Sequence, residues 1–254
     1  LMFPILSGNV ASATAVSGNS EGIFGFGYKV GGYTAVTNLV SNAGVVASDT
    51  AGVGTARYMM AACEYGGDKA IFGYGSDHVS TSNLVSNAGV VASDTAGVGT
   101  GRMNLAACSY GGDKGIFGFG NDDPNYTAIT SLVSNTGVVS SDVAGVGTAR
   151  HGLAACDYGG DKGIFGFGVG VGGQTSVSNL VSNTGVVASD TAGVGTARQN
   201  LAATQYDGDK GIFGYGYVSG TVGMTNLVSD TGVIADDVSI VGTARYGPAA
   251  CSFN

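Results

Sequence analysis

One phrase recurs through this chain and limits what it can fold into. Gly67-Asp68-Lys69-Ala70-Ile71-Phe72-Gly73-Tyr74-Gly75 returns at residues 112–120, 160–168 and 208–216, and a reduced copy, Glu21-Gly22-Ile23-Phe24-Gly25-Phe26-Gly27, stands near the start. The marker isoleucines Ile23, Ile71, Ile116, Ile164 and Ile212 are 48, 45, 48 and 48 residues apart. Five near-copies of that length make a stack of small units, because one such unit cannot bury a core alone.

Each unit reads as four short strands. The first is a small apolar run, Met60-Ala61-Ala62-Cys63, repeated at Leu105–Cys108, Leu153–Cys156, Leu201–Thr204 and Pro248–Cys251. The second is Ala70–Tyr74, the third Asn83-Leu84-Val85-Ser86, the fourth Val90-Val91-Ala92-Ser93, each with copies in the other units. β-Branched and aromatic residues between glycine punctuation favour strands, and no segment carries a capped helical period. Ser86-Asn87-Ala88-Gly89 and Tyr65-Gly66-Gly67-Asp68-Lys69 supply residues that tolerate positive φ and so form the hairpin turns.

Composition removes several classes of function. Glycine is 47 of 254 residues without a Gly-X-Y period, which excludes collagen. Apolar residues, at 44%, suffice for a core, while charged residues are only 11%. A chain with so little charge solvates little surface or belongs to a larger assembly. The formal charge is −8, and nine of the ten basic residues (Arg57, Arg102, Arg150, Arg198, Arg245, Lys69, Lys114, Lys162 and Lys210) are fixed by the repeat. No basic stripe for nucleic acid can be assembled. No run of about 18 apolar residues argues for membrane insertion, and the apolar opening Leu1–Leu6 is too short for a signal peptide.

Units of this period and strand content predict an all-β fold, a five-bladed β-propeller of four-stranded antiparallel blades; the rival is a stack of hairpins in an open solenoid, and near-equal repeats with no polar caps at the ends favour the closed ring. The order Arg57, small apolar strand, turn, then Ile71-Phe72-Gly73-Tyr74-Gly75 and Asn83-Leu84-Val85-Ser86 resembles the kelch repeat over nearly the whole chain. It departs from that family in having no tryptophan and in carrying Gly-Tyr-Gly or Gly-Phe-Gly in place of a glycine doublet. The repeat wording is also similar to repeat proteins of bacteriophage virion appendages. Residues 1–18 are expected to form an N-terminal arm and 19–254 the propeller, with the C-terminal strand closing the first blade.

Function is expected where the repeats disagree. The connections between second and third strands (Tyr28–Val36, Ser76–Thr81, Asn121–Thr130, Val169–Val177, Tyr217–Met224) vary, as do the residues after each repeat arginine. Both emerge on one face of an up-and-down unit, and loops on a rigid scaffold carry binding. The candidate binding residues are Tyr28, Tyr33, Asp77, His78, Asn121, Asp122, Asp123, Tyr126, His151, Tyr217 and Tyr246. Tyrosines beside Asp and Asn can stack on and hydrogen-bond a sugar. The expected role is a non-enzymatic binding or structural module on a virion or cell surface, an adhesin offering this face to a glycan or protein receptor. The alternatives are a propeller lectin and an architectural subunit of a filament, capsid or tail, packed against other subunits. No catalytic constellation is present in the sequence, and no cofactor is expected. Cys63, Cys108, Cys156 and Cys251 share one repeat position but lack paired Cys-x-x-Cys spacing, so they read as small packing residues rather than a metal site. The arginines read as ties to neighbouring aspartates or carbonyls.

Overall fold

The short β-branched and aromatic runs become strands in every unit. The computed structural model describes residues 21–239 and 242–252, so the expected arm at 1–18 lies outside the described residues. Unit 1 is a hairpin of β1 (Gly22–Lys29) and β2 (Gly32–Val40). Unit 2 is a meander of β3 (Ala61–Tyr65), β4 (Lys69–Gly73) and β5 (Ser82–Val85). Unit 3 repeats it with β6 (Ala106–Tyr110), β7 (Lys114–Gly118) and β8 (Thr130–Val133). Unit 4 opens with β9 (Arg150–His151) and continues through β10 (Ala154–Tyr158) and β11 (Lys162–Gly166). A small hairpin, β12 (Val169–Gly170) and β13 (Gly173–Gln174), pairs back onto β9 before β14 (Ser178–Val181). Unit 5 has β15 (Ala202–Tyr206), β16 (Lys210–Tyr217) and β17 (Thr221–Val228).

These strands make six separate antiparallel sheets of two or three strands, and none closes into a ring. The five-bladed propeller is therefore corrected. The kelch-like resemblance does not hold, and the resemblance to bacteriophage virion-appendage repeats, with the tail and virion role drawn from it, is not supported. Two physical causes are visible. The expected fourth strand makes only one isolated bridge per unit, such as Val85↔Val91, with a second just beyond it at Ser82↔Thr95. There the Asn83 side chain donates to the carbonyl of Ala92 at 3.0 Å, taking a place a ladder bond would fill. In addition, each first strand draws its ladder from the second strand that follows it, as Ala61↔Gly73 to Tyr65↔Lys69 shows. The run Pro248–Cys251, which has the composition of a first strand, meets no such ladder, and residues 248–252 lie in no strand.

No strand ladder joins one unit to the next; side-chain packing does, beside single backbone bonds such as the Gly75 amide to the Arg102 carbonyl at 3.0 Å. The first Phe of each repeat phrase packs on the glycine that directly follows the first Phe of the phrase before it. Phe117 comes within 2.7 Å of where a Cβ on Gly73 would stand, Phe165 within 2.7 Å at Gly118 and Phe213 within 2.8 Å at Gly166. Phe117, Phe165 and Phe213 are fully buried, worth roughly 1.5–3 kcal/mol each. Cys108 Sγ and Cys156 Sγ press likewise on Gly163 and Gly211, while Leu84, Leu132 and Leu180 cover Gly137, Gly185 and Gly232. The cysteines thus point into the next unit, and burial pushes their thiols up.

The Gly-aromatic-Gly ending has a conformational cause. Phe26, Tyr74, Phe119, Phe167 and Tyr215 all sit at φ between 62° and 65°, where a bulky residue is strained by about 1–3 kcal/mol. In β1 and β16 this step is a register shift in the ladder, a bulge that turns the ring out of its own strand. The guanidinium that opens the following unit then covers the ring: Arg57 over Phe26, Arg102 over Tyr74, Arg150 over Phe119 and Arg198 over Phe167, at 4.1–4.6 Å.

Those arginines are almost wholly buried. Arg57 Nε donates to the Tyr74 carbonyl at 2.8 Å, Nη1 to the Thr55 carbonyl at 3.0 Å and Nη2 to Asn83 Oδ1 at 2.6 Å. Asp94 accepts from Asn83 Nδ2 at 2.9 Å and from the Thr55 amide and hydroxyl at 2.9 and 2.7 Å. The same set recurs around Arg198, Asn226, Asp237 and Thr196. Burial lowers the arginine pKa, to about 10 for Arg150 and Arg198, so the cations stay charged near neutral pH. The tie expected from the sequence is present, with carbonyls and Asn as the direct partners and Asp94 3.7 Å away.

Candidate functional site

In units 2–5 the two variable segments meet. Met103 bridges Asn121, β9 carries His151 opposite Val169, and Gln199 bridges Tyr217; in unit 2 the Ser76 amide donates to the Tyr58 carbonyl at 2.8 Å. A second row lies beside them. The amides of Asn104, Gly152, Asn200 and Gly247 donate in turn to the carbonyls of Met59, Asn104, Gly152 and Asn200, at 2.8–2.9 Å. All five of these residues have φ between 52° and 63°. Their variation is therefore confined mainly to Asn and Gly, the residues that tolerate this conformation.

The candidate binding residues divide into three clusters. In the first, Tyr33 of unit 1 stacks on Tyr58 of unit 2 at 4.8 Å, and Tyr28 lies 6.1 Å from Tyr33 and 6.0 Å from Tyr58. Tyr28 is 69% exposed and Tyr33 39%. The Tyr33 hydroxyl is pushed up, first by desolvation, then by the neighbouring Tyr58 and by the charge of Asp77. Asp77 is exposed and shares a one-turn 3₁₀ segment, Ser76–His78, with His78. Both have positive φ, and His78 Nε2 is buried without a hydrogen-bond partner.

The second cluster is engaged in holding its own loop. Asn121 pairs with both Met103 and Tyr126, its Oδ1 accepts from the Asp123 amide at 2.6 Å, and the Asp122 amide donates to the Asn125 carbonyl at 3.0 Å. Tyr126 lies 4.6 Å from His151, whose pKa burial lowers, so that imidazole is neutral at pH 7. The third cluster pairs Tyr217 with Tyr246 at 5.8 Å. In units 1 and 5 the connection is a projecting hairpin, closed at Lys29↔Gly32 and Tyr217↔Thr221. Tyr28 and Tyr33 of the first cluster face each other one residue pair from the tip of the unit 1 hairpin, on paired strands rather than on a loose loop.

A polar recess that sequence reasoning missed opens at the opposite turns. Glu64, Ser109, Asp157 and Gln205 line it with Lys114 and Lys162. The four are the residue between Ala-Ala-Cys (or Ala-Ala-Thr) and Tyr, the one position of that strand that changes chemistry in every unit. That alternation of Glu, Ser, Asp and Gln was the available signal, overshadowed by the near-identical turn beside it. Asp157 accepts from the Ser109 amide at 2.9 Å, and burial raises its pKa to about 6, with the charge of Glu64 adding to the rise. No group of three or more His, Cys, Asp or Glu side chains able to hold a metal ion occurs among the described residues, and no helix there is long and apolar enough to cross a membrane. No protein-family model and no curated protein matches this chain.

Proposed function

We propose that the chain is a non-catalytic binding module whose unit 1–unit 2 seam, built on Tyr28, Tyr33 and Tyr58, takes a glycan. The observation that carries this reading is the open cluster of three tyrosine rings from two units, 4.8–6.1 Å apart, with an exposed Asp77 in electrostatic reach. Sugar rings offer an apolar C–H face that stacks on an aromatic ring and hydroxyls that a carboxylate can accept from. The cluster is presented by a hairpin and a bonded backbone row, so little order has to be gained on binding.

The chain has 12 tyrosines and no tryptophan, so tyrosine fluorescence reports on the site. A glycan array followed by fluorescence titration of the best oligosaccharide tests the reading. Binding that falls at least tenfold in both Tyr28→Ala and Tyr33→Ala is the expected result. A blank array at high protein concentration, or binding unchanged in both variants, contradicts it.

A further inference from the structure

We propose that the end face of unit 5 docks on the end face of unit 1 of a second copy of this chain, giving head-to-tail association. Inside the chain the unit-to-unit seam is built four times from the same parts: Phe72 on Gly25, Phe117 on Gly73, Phe165 on Gly118 and Phe213 on Gly166. Leu39, Leu84, Leu132 and Leu180 cover Gly89, Gly137, Gly185 and Gly232 in the same seams. The two ends of the described stack each carry one half of this seam.

On unit 1 the knob is Phe24, 54% exposed where Phe72, Phe117, Phe165 and Phe213 are at most 6% exposed. On unit 5 the socket is Gly214. Its φ is ordinary, and a Cβ there would meet only Thr225 at 3.4 Å. No described residue explains a glycine at that place, whereas a Phe ring stands within 3.0 Å of the corresponding Cβ position in every earlier unit. The leucine contact is complementary in the opposite sense. Leu227 of unit 5 is 39% exposed, and a Cβ on Gly44 of unit 1 would have nothing within 4 Å. Thr204 takes the cysteine position, and Gly22 has only its cross-strand neighbour Val40 near its Cβ position. Knob and socket therefore match at two points and small residue meets glycine at a third, in the register the internal seams already use.

Such a contact joins different faces of the two copies, so growth continues from each new end unless the rotation closes it. The glycan reading and this one are independent: the first uses the variable edge, the second the end faces.

Sedimentation velocity of the full chain across a concentration series tests the proposal, alongside Phe24→Asp and Gly214→Leu. The wild type is expected to show mass rising with concentration beyond the dimer. Each variant alone blocks one face but leaves the other intact, so an equimolar mixture is expected to stop at twice the monomer mass. Circular dichroism matching the wild type establishes that both variants fold, as the exposed Phe24 and the open space at Gly214 predict. A wild type that stays monomeric at all concentrations overturns the proposal, whether its end faces are bare or covered by its own chain. So does unchanged assembly of both variants.

Discussion

Tyr74 and Ser131 form the one seam where the repeat breaks its own rule, and changing both tests how the seams are held. Elsewhere a Phe faces an Arg–Asn pair: Phe26 with Arg57 and Asn83, Phe119 with Arg150 and Asn179, Phe167 with Arg198 and Asn226. Between units 2 and 3 the aromatic is Tyr74 and the Asn is replaced by Ser131, and the Tyr74 hydroxyl donates to Ser131 Oγ at 2.7 Å, with both residues fully buried. The larger ring fills what the smaller polar side chain vacates. Tyr74→Phe removes that bond and costs about 1 kcal/mol, because Arg102 still donates to Ser131 at 3.1 Å. Ser131→Asn drives an amide into the space of the phenol hydroxyl and costs about 1–3 kcal/mol. Together they rebuild the Phe–Asn arrangement of the other seams and should return to within about 0.5 kcal/mol of the wild type, a coupling of about 2–3 kcal/mol. For a chain of this size each kcal/mol moves the melting midpoint by roughly 2–4 °C. Urea and thermal unfolding of the four proteins measure the cycle. Additive effects, with the double variant the least stable, would refute the reasoning.

Two other predictions follow from single positions. Asp157 has a folded pKa of about 6 against roughly 3.9 unfolded. Its contribution is full below pH 4 and is lost as pH rises through 6, leaving a buried charge that costs about 3 kcal/mol. Asp157→Asn can still accept from the Ser109 amide, so its stability gain over the wild type should appear between pH 4 and pH 6 and persist above; urea midpoints that differ equally at pH 4 and pH 8 would contradict this. Gly118→Ala meets Phe165 at 2.7 Å and should cost about 1–3 kcal/mol, whereas Gly214→Ala, at the same repeat position, should be neutral or gain up to about 1 kcal/mol. Melting below self-association concentrations separates the two, and equal shifts would show that the seams are not what demands glycine.

How much of this was legible in the sequence can be read from particular residues. The first three strands of units 2–4 fall within one or two residues of their expected places, because glycine turns bound them on both sides. The fourth was misread: Val90-Val91-Ala92-Ser93 has strand composition, but Asn83 and Asp94 bond its backbone and the approach to Arg57 with side chains, which no propensity reports. The closed ring failed for want of a pairing. The run at 248–251 has the composition of a first strand, yet composition does not supply the ladder that each described first strand draws from the second strand of its own unit, and residues 248–252 lie in no strand. The pairing of the two variable segments followed from strand reversal alone. That Asn121, Asp122 and Asp123 bind one another's loop, and that Tyr58 completes the tyrosine cluster, are facts of side-chain direction that spacing does not encode.

The central claim is that the units form an open stack in which residues 248–251 join no strand among the described residues. Thiol labelling tests it most directly, because the four cysteines mark it. Cys108 and Cys156 are buried between units, Cys63 packs its sulfur on Gly115, and Cys251 is exposed. Native protein held below its self-association concentration and mixed with a chromogenic disulfide reagent near pH 8 should release one equivalent of thiol quickly. Cys251→Ser should abolish that fast phase, with the other three reacting only as units open. If Cys251 instead reacts as slowly as Cys63, Cys108 and Cys156, the C-terminal run is packed like a first strand and the open stack is wrong.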